Sequence, residues 1–254
     1  MGASMNIGLY QSAASLSALE KWQDAVSQNI TSSQTSGYRK RTVEFSSEAA
    51  GSWNINPDAR NSGPENEVQA VFTHINNGIN FQTGETQSTR GNLDVAIQGD
   101  GFFELQQGDG SRMYTRNGEF RMRPDRTLVS SGGLEVLTDG GNPIVLLPGD
   151  PTVNINRDGT IFQNGTALGK LSIQRFADTA ALIPLAGAMF LDQPSAGMSK
   201  VDAPELMQGY VEQSNVQPLR EMVDLVLISR AYEANQKIIT TVDQQMQKTL
   251  DALG

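Results

Sequence analysis

Cysteine is absent from the 254-residue chain, and histidine occurs once, at His74. The first absence excludes disulfides and thiolate metal sites. The second removes the side chain on which zinc centres and acid–base catalysis most often draw. A basic surplus is also lacking: 19 Lys+Arg stand against 28 Asp+Glu, a formal net charge of −9. That balance argues against a nucleic-acid binder, which would need a basic face to neutralise phosphates. It disfavours attraction to an anionic membrane surface for the same reason. No apolar run reaches the roughly eighteen residues of a membrane-spanning helix, so no direct membrane insertion is expected. The N-terminal region lacks a Sec-type apolar core as well, being interrupted by Gln11, Ser12, Ser15, Ser17 and Glu20.

What is present begins at the two ends. Leu225, Ile228, Tyr232, Asn235, Ile239, Val242, Met246 and Thr249 follow 3-4 spacing, and six of these eight are apolar or aromatic. That is a heptad seam, narrower than the stripe of an ordinary core helix. Neither Gly nor Pro interrupts Leu219 to Leu253, so the helix can run for about nine turns, or roughly 50 Å. Pro218 stands just ahead, where its missing N–H is tolerated. Near the other end, Leu9, Ser12, Leu16, Leu19, Gln23, Val26, Ile30 and Ser33 repeat the spacing, with five of eight apolar. Periodicity leaves two readings open: helices that coil together with the rest of the chain as an insert, or helices packed on the core of an ordinary domain. Tyr232, flanked by Arg230 and Glu233, fills a wide seam position in the first reading.

Between the ends the pattern changes. The first helix is expected to end near Ser33, and Gly37 suits a left-handed cap. Arg39, Lys40 and Arg41 read as a solvated face, with a contact to an acidic neighbouring subunit as the alternative. Residues 46–68, rich in Gly, Pro, Asn, Ser and Glu, read as loop with no element longer than a turn. From about Gln69 to Gln193, short alternating runs are separated by turn dipeptides such as Asp109-Gly110, Asn117-Gly118, Asp158-Gly159 and Asn164-Gly165. The strands expected are Leu93–Ile97, Phe102–Leu105, Arg112–Arg116, Glu119–Met122, Val153–Ile155, Thr160–Gln163 and Leu168–Phe176. Gly99-Asp100-Gly101 reads as a bend between two strands rather than a phosphate loop, because Phe102-Phe103 follows instead of a helix. The acidic residues fall mostly in turns, where Asp is favoured for local hydrogen bonding.

The expected class is therefore α+β: a central, mainly antiparallel β domain, as an irregular sandwich or barrel, flanked by N- and C-terminal helices. The expected divisions are an N-terminal helix and junction strand over 1–45, an extended linker over 46–75, a β-rich outer domain over 76–198 and a C-terminal helix over 199–254.

Three blocks of sequence resemble one family. Asp24-Ala25-Val26-Ser27-Gln28-Asn29-Ile30 with Thr35-Ser36-Gly37-Tyr38-Arg39-Lys40 is similar to the N-terminal motif of flagellar rod and hook proteins. It departs from that motif at Ser27, Gln28, Thr31 and Ser32, where the family favours Ala, Asn, Ala and Asn. Leu93 to Phe103 and Tyr114 to Phe120 follow the family pattern closely, although Arg126 replaces the Gly usual before Leu128-Val129. Gly209-Tyr210-Val211-Glu212-Gln213-Ser214-Asn215-Val216, then Glu221-Met222 and Arg230 to Asn235, match the third block. The resemblance runs nearly end to end, to the FlgF/FlgG group of basal-body rod subunits.

The resemblance implies a structural subunit and not an enzyme, with no catalytic residue, cofactor or metal. It implies terminal helices that coil together inside a helical tube transmitting torque from motor to hook, with the β domain outside. The implied partners are copies of itself, neighbouring rod and hook proteins, and the flagellar type III export apparatus. The implied location is the periplasm-spanning basal body, reached without a Sec signal. The expected interface positions are Leu16, Leu19, Val26, Ile30, Leu225, Ile228, Tyr232, Ile239, Val242 and Met246. Asn29, Gly37, Ser214 and Asn215 are expected to shape the junction between helices and β domain, and the segment 46–67 to touch neighbouring subunits. The alternative is a secreted adhesive or carbohydrate-acting β domain with oligomerising helical ends. It is weakened because the only two tryptophans, Trp22 and Trp53, fall outside the expected strands.

Overall fold

A computed structural model describes the backbone of residues 2–54, 67–149 and 152–251, with the side chains of 2–11, 47–54, 67–74 and 249–250 left undescribed. The chain forms two compact units. The first comprises Met1–Ile30, Arg41–Gly78 and Pro218–Gly254; the second comprises Thr31–Lys40 and Ile79–Gln217. The class is α+β, a mostly antiparallel β core with one helix at each end of the sequence.

The first unit holds helix α1 (Gly2–Thr31), strands β1 (Arg41–Asn54) and β2 (Glu67–Ile79), and helix α2 (Pro218–Asp251). Pro218 opens α2 at a position whose N–H would have no intrahelical partner. Glu221 in its first turn and Lys248 in its last complement the helix dipole. Its 34 residues span about 50 Å. β1 and β2 form a two-stranded sheet. This corrects the loop expected over 46–68: the described residues 46–54 and 67–68 are strand. Pairing joins the facing backbone groups of the two strands, and the Ser, Glu and Ala of β1 hide it from a pattern search for alternating apolar residues. Trp53 consequently lies in a strand, as does His74. Residues 55–66, the rest of the expected loop, lie outside the described residues.

The second unit carries the large core. Its strand Phe102–Gln106 sits inside a nine-stranded sheet, flanked by Arg112–Thr115, Glu135–Val136 and Ile173–Phe176. Successive side chains of a strand point to opposite faces, and here the alternation divides two cores. Phe103 packs edge-on to Phe120 at 5.0 Å within an aliphatic cluster that includes Val95, Leu105, Ile144, Ile161 and Leu171. Phe102 turns the other way, into an aromatic cluster with Tyr114, Phe176 and Phe190.

Most expected strands are present within a residue or two. Leu168–Phe176 is not one strand: Thr166–Lys170 pairs with Thr160–Gln163, whereas Ile173–Phe176 joins the nine-stranded sheet. The mixed pattern of that run has a physical cause, since Leu171, Ser172 and Ile173 are all buried. Asn164 and Gly165 have φ of +49° and +79°, as a two-residue hairpin turn requires. Gly118 serves differently: a Cβ there would sit 1.7 Å from the carbonyl oxygen of Val95, so this glycine permits a close backbone approach. Three strands beyond the expected β boundary, Met198–Lys200, Glu205–Gln208 and Tyr210–Glu212, pair with Ile173–Phe176, Val95–Gln98 and Thr86–Ser88. Residues 199–217 thus belong to the β unit and not to the C-terminal helix.

Candidate assembly interface

Within the first unit, α1 and α2 share a small apolar cluster. Leu19, Val26 and Ile228 are buried, and Trp22, Ile30, Leu225, Ala231 and Tyr232 pack against them. Trp22 also meets Phe45 edge-on at 5.5 Å. Of the expected seam positions, Leu19, Val26, Ile30, Leu225, Ile228 and Tyr232 are brought together here. Leu16, Ile239, Val242 and Met246 are partly buried outside the cluster, and Gln23 is exposed. Trp22 stands where Gln23 was expected, because α1 buries a stripe broader than a strict heptad: Ala18, Leu19, Trp22, Ala25, Val26, Asn29.

Asn29 closes this cluster with polar contacts. Its Nδ2 donates to the Arg41 carbonyl and to Glu221 Oε2, both at 2.9 Å, while its Oδ1 accepts from the Arg41 N–H at 2.8 Å. One buried amide thereby ties the last turn of α1, the start of β1 and the first turn of α2. Such a bond to a buried charged group contributes about 1.5–3 kcal/mol.

The other junction residues lie in the β unit. Gly37 has φ +70°, but it stands six residues past the end of α1 and caps no helix. A Cβ there would meet the Arg116–Asn117 peptide at 2.4 Å. Its N–H donates to the Glu212 carbonyl at 2.7 Å. Asn215 Oδ1 accepts from the Lys40 N–H at 2.7 Å. Ser214 Oγ accepts from the Val216 N–H at 3.2 Å, a local turn contact.

Arg39 is not part of a solvated face. It is buried, with Nη1 2.6 Å from Glu212 Oε1. Arg116, also buried, approaches Glu212 Oε2 at 3.3 Å and lies over the Phe102 ring at 5.4 Å. Burial pushes the Arg116 pKa down to about 10, and the Glu212 carboxylate opposes that shift. Removing the shared carboxylate would strand two guanidinium groups away from water, a loss of about 3–5 kcal/mol. The sequence missed this cluster. Its signal was weak: a Glu at the end of a short strand, with its partners 173 and 96 positions away.

The remaining feature of α2 lies on another face. Leu219, Met222, Val223, Val226 and Leu227 recur at i, i+3, i+4, i+7 and i+8, which is a second apolar stripe. All five are exposed.

Residues 207–252 match the family described as flagellar basal body rod FlgEFG protein C-terminal, and residues 96–163 match the flagellar hook protein FlgE/F/G D1 domain. The flagellar basal-body rod protein FlgG of Agrobacterium fabrum is 32% identical over 244 residues, which is 87% of this chain and 89% of that protein. The chain belongs to the flagellar rod and hook protein family. The FlgF rod protein of Caulobacter vibrioides is 29% identical over 252 residues, covering 98% of this chain and 99% of its own. The FlgG of Borreliella burgdorferi is 29% identical over 260 residues, covering 94% and 95%. As a member of this family the chain is a structural flagellar axial protein. Among the described residues no helix is long and apolar enough to cross a membrane.

Proposed function

We propose that this chain is a structural subunit of the basal-body rod. In this reading it polymerises with copies of itself and with neighbouring axial proteins into a helical tube that transmits torque from motor to hook. It is exported by the flagellar type III apparatus without a Sec signal and resides in the periplasm-spanning part of the basal body. It performs no catalysis.

The observation that carries this reading is the second apolar face of α2. Ile228 is buried among the α1–α2 contacts, while Leu219, Val223 and Leu227 keep 81%, 59% and 54% of their surface in water. A helix of a self-contained domain needs one apolar stripe. Two stripes call for two partners, and subunits related by a screw axis supply the second without the assembly closing on itself. The seam positions Leu16, Leu19, Val26, Ile30, Leu225, Ile228, Tyr232, Ile239, Val242 and Met246 are proposed to act in the same polymer.

The test is a Val223→Asp/Leu227→Asp variant expressed in cells lacking the wild-type gene. The expected outcome is a soluble protein whose β unit unfolds at the wild-type urea concentration, exported at wild-type level, in cells with incomplete rods and no swimming. Complete basal bodies and normal swimming would remove the proposal's support. The Leu225→Asp/Ile239→Asp variant, directed at the first face, is expected to block assembly equally.

A further inference from the structure

The two units are joined by four chain crossings, at residues 30/31, 40/41, 78/79 and 217/218. On the β-unit side these crossings emerge from three segments: 31–40, whose two ends are both crossings, the stretch beginning at Ile79, and the stretch ending at Gln217. Three main-chain bonds already link these segments. The Asn80 N–H donates to the Lys40 carbonyl at 2.9 Å, the Gly37 N–H to the Glu212 carbonyl at 2.7 Å, and the Gln213 N–H to the Glu85 carbonyl at 2.8 Å.

Two side chains then reach every segment. Asn215 accepts from the Lys40 N–H at 2.7 Å and donates from Nδ2 to the carbonyls of Asn80 and Gln82, both at 2.8 Å. A carboxamide is needed here, because the three bonds require one acceptor and two donors on a single planar group. Glu212 accepts from the Gly84 N–H at 2.9 Å on the same oxygen that pairs with Arg39, while its other oxygen faces Arg116. Arg116 donates in turn to the Gly99 carbonyl at 2.6 Å and the Ile97 carbonyl at 3.4 Å, next to the large core. Arg39, Arg116 and Glu212 are all buried, so water does not readily replace their contacts one at a time.

We propose that Glu212 and Asn215 are positioning residues that bind these three segments into one collar, so that all four crossings leave the β unit from a single rigid base. This rests on the reading of the chain as a rod subunit. Torque passing between the units through the chain travels along the crossings, and a shared base keeps them from yielding separately.

Amide hydrogen exchange on the full-length protein tests the collar. In Asn215→Ala, protection at Lys40, Asn80 and Gly84 is expected to fall together, by a common factor of ten or more, while Leu105, Leu137 and Ile173 keep theirs. Gly84 is the informative amide, since it bonds to Glu212 and not to Asn215. Loss confined to Lys40 would overturn the proposal, because the bonds would then be independent. Asn215→Asp retains the acceptor for Lys40 and loses both donors, and is expected to show the same common fall; wild-type exchange at Asn80 and Gly84 in that variant would also overturn it. In cells, Asn215→Ala should assemble rods yet swim at half the wild-type speed or less. Undiminished swimming would overturn the mechanical role of the collar. Undiminished motility in the gene deletion itself would instead refute the rod reading.

Discussion

Arg126 occupies the left-handed region at φ +69° with its side chain exposed. An L-residue with a Cβ loses about 1–2 kcal/mol in that conformation, and glycine escapes the loss while giving up somewhat more unfolded-state entropy. Replacement by glycine, the residue usual in the family at this turn, is expected to stabilise the β unit by roughly 0.5–1 kcal/mol. A urea titration would show a higher midpoint with unchanged slope, and a lower midpoint would contradict this account of the turn. At this scale the sequence was legible wherever the constraint was local. The Asn164-Gly165 turn and the Gly99-Asp100-Gly101 bend needed only neighbouring residues to be read. Arg39 was misread because its burial depends on Glu212 and the β strand that carries it, and nothing near Arg39 in the chain announces that carboxylate. Glu221 was named within the third block but given no role, since its bond to Asn29 joins two helices that only the fold brings together.

Leu225, Ile228 and Tyr232, read in α2 from 3-4 spacing, meet α1. The second stripe of α2 was hidden by the first. Leu225, Val226, Leu227 and Ile228 are consecutive apolar residues, and only the structure separates Ile228, buried beside α1, from Val226 and Leu227, which are exposed. The β1–β2 pair was read only in part, as a junction strand before residue 46 and a β signal from about Gln69; residues 46–54 lack the turn dipeptides and apolar alternation that marked the strands of the β unit. Among the described residues few buried side chains hold the helix pair, which makes each of them consequential. Ile228→Ala is expected to weaken the α1–α2 contact by about 2–4 kcal/mol. Far-UV circular dichroism of the unassembled protein should show reduced helix content while the urea midpoint of the β unit stays put. Unchanged helicity would mean that the cluster contributes little to holding the pair.

Among the described residues, hydrophobic burial is divided unevenly between the two units. Three buried apolar side chains among these residues hold the helix cluster, against fifteen in the aliphatic core of the β unit and six more in its aromatic cluster. Opening free energies follow such differences in buried contact. In the unassembled full-length chain, amides over 12–31 and 218–248 are expected to exchange at least about 100-fold faster than those over 95–176. Equal protection in the two regions would show that the helices form a self-sufficient body, and would remove the reason to look for their stability in a polymer. The contact between Asn29 and Glu221 joins residues 192 positions apart, and that separation has a consequence in time. A polypeptide is synthesised N-terminus first, so α1 exists long before its partner. The β unit can close as soon as Gln217 has emerged, drawing Thr31 and Gln217 into one folded body while α1 still waits. The helix pair can therefore form only after the β unit, once α2 has followed it.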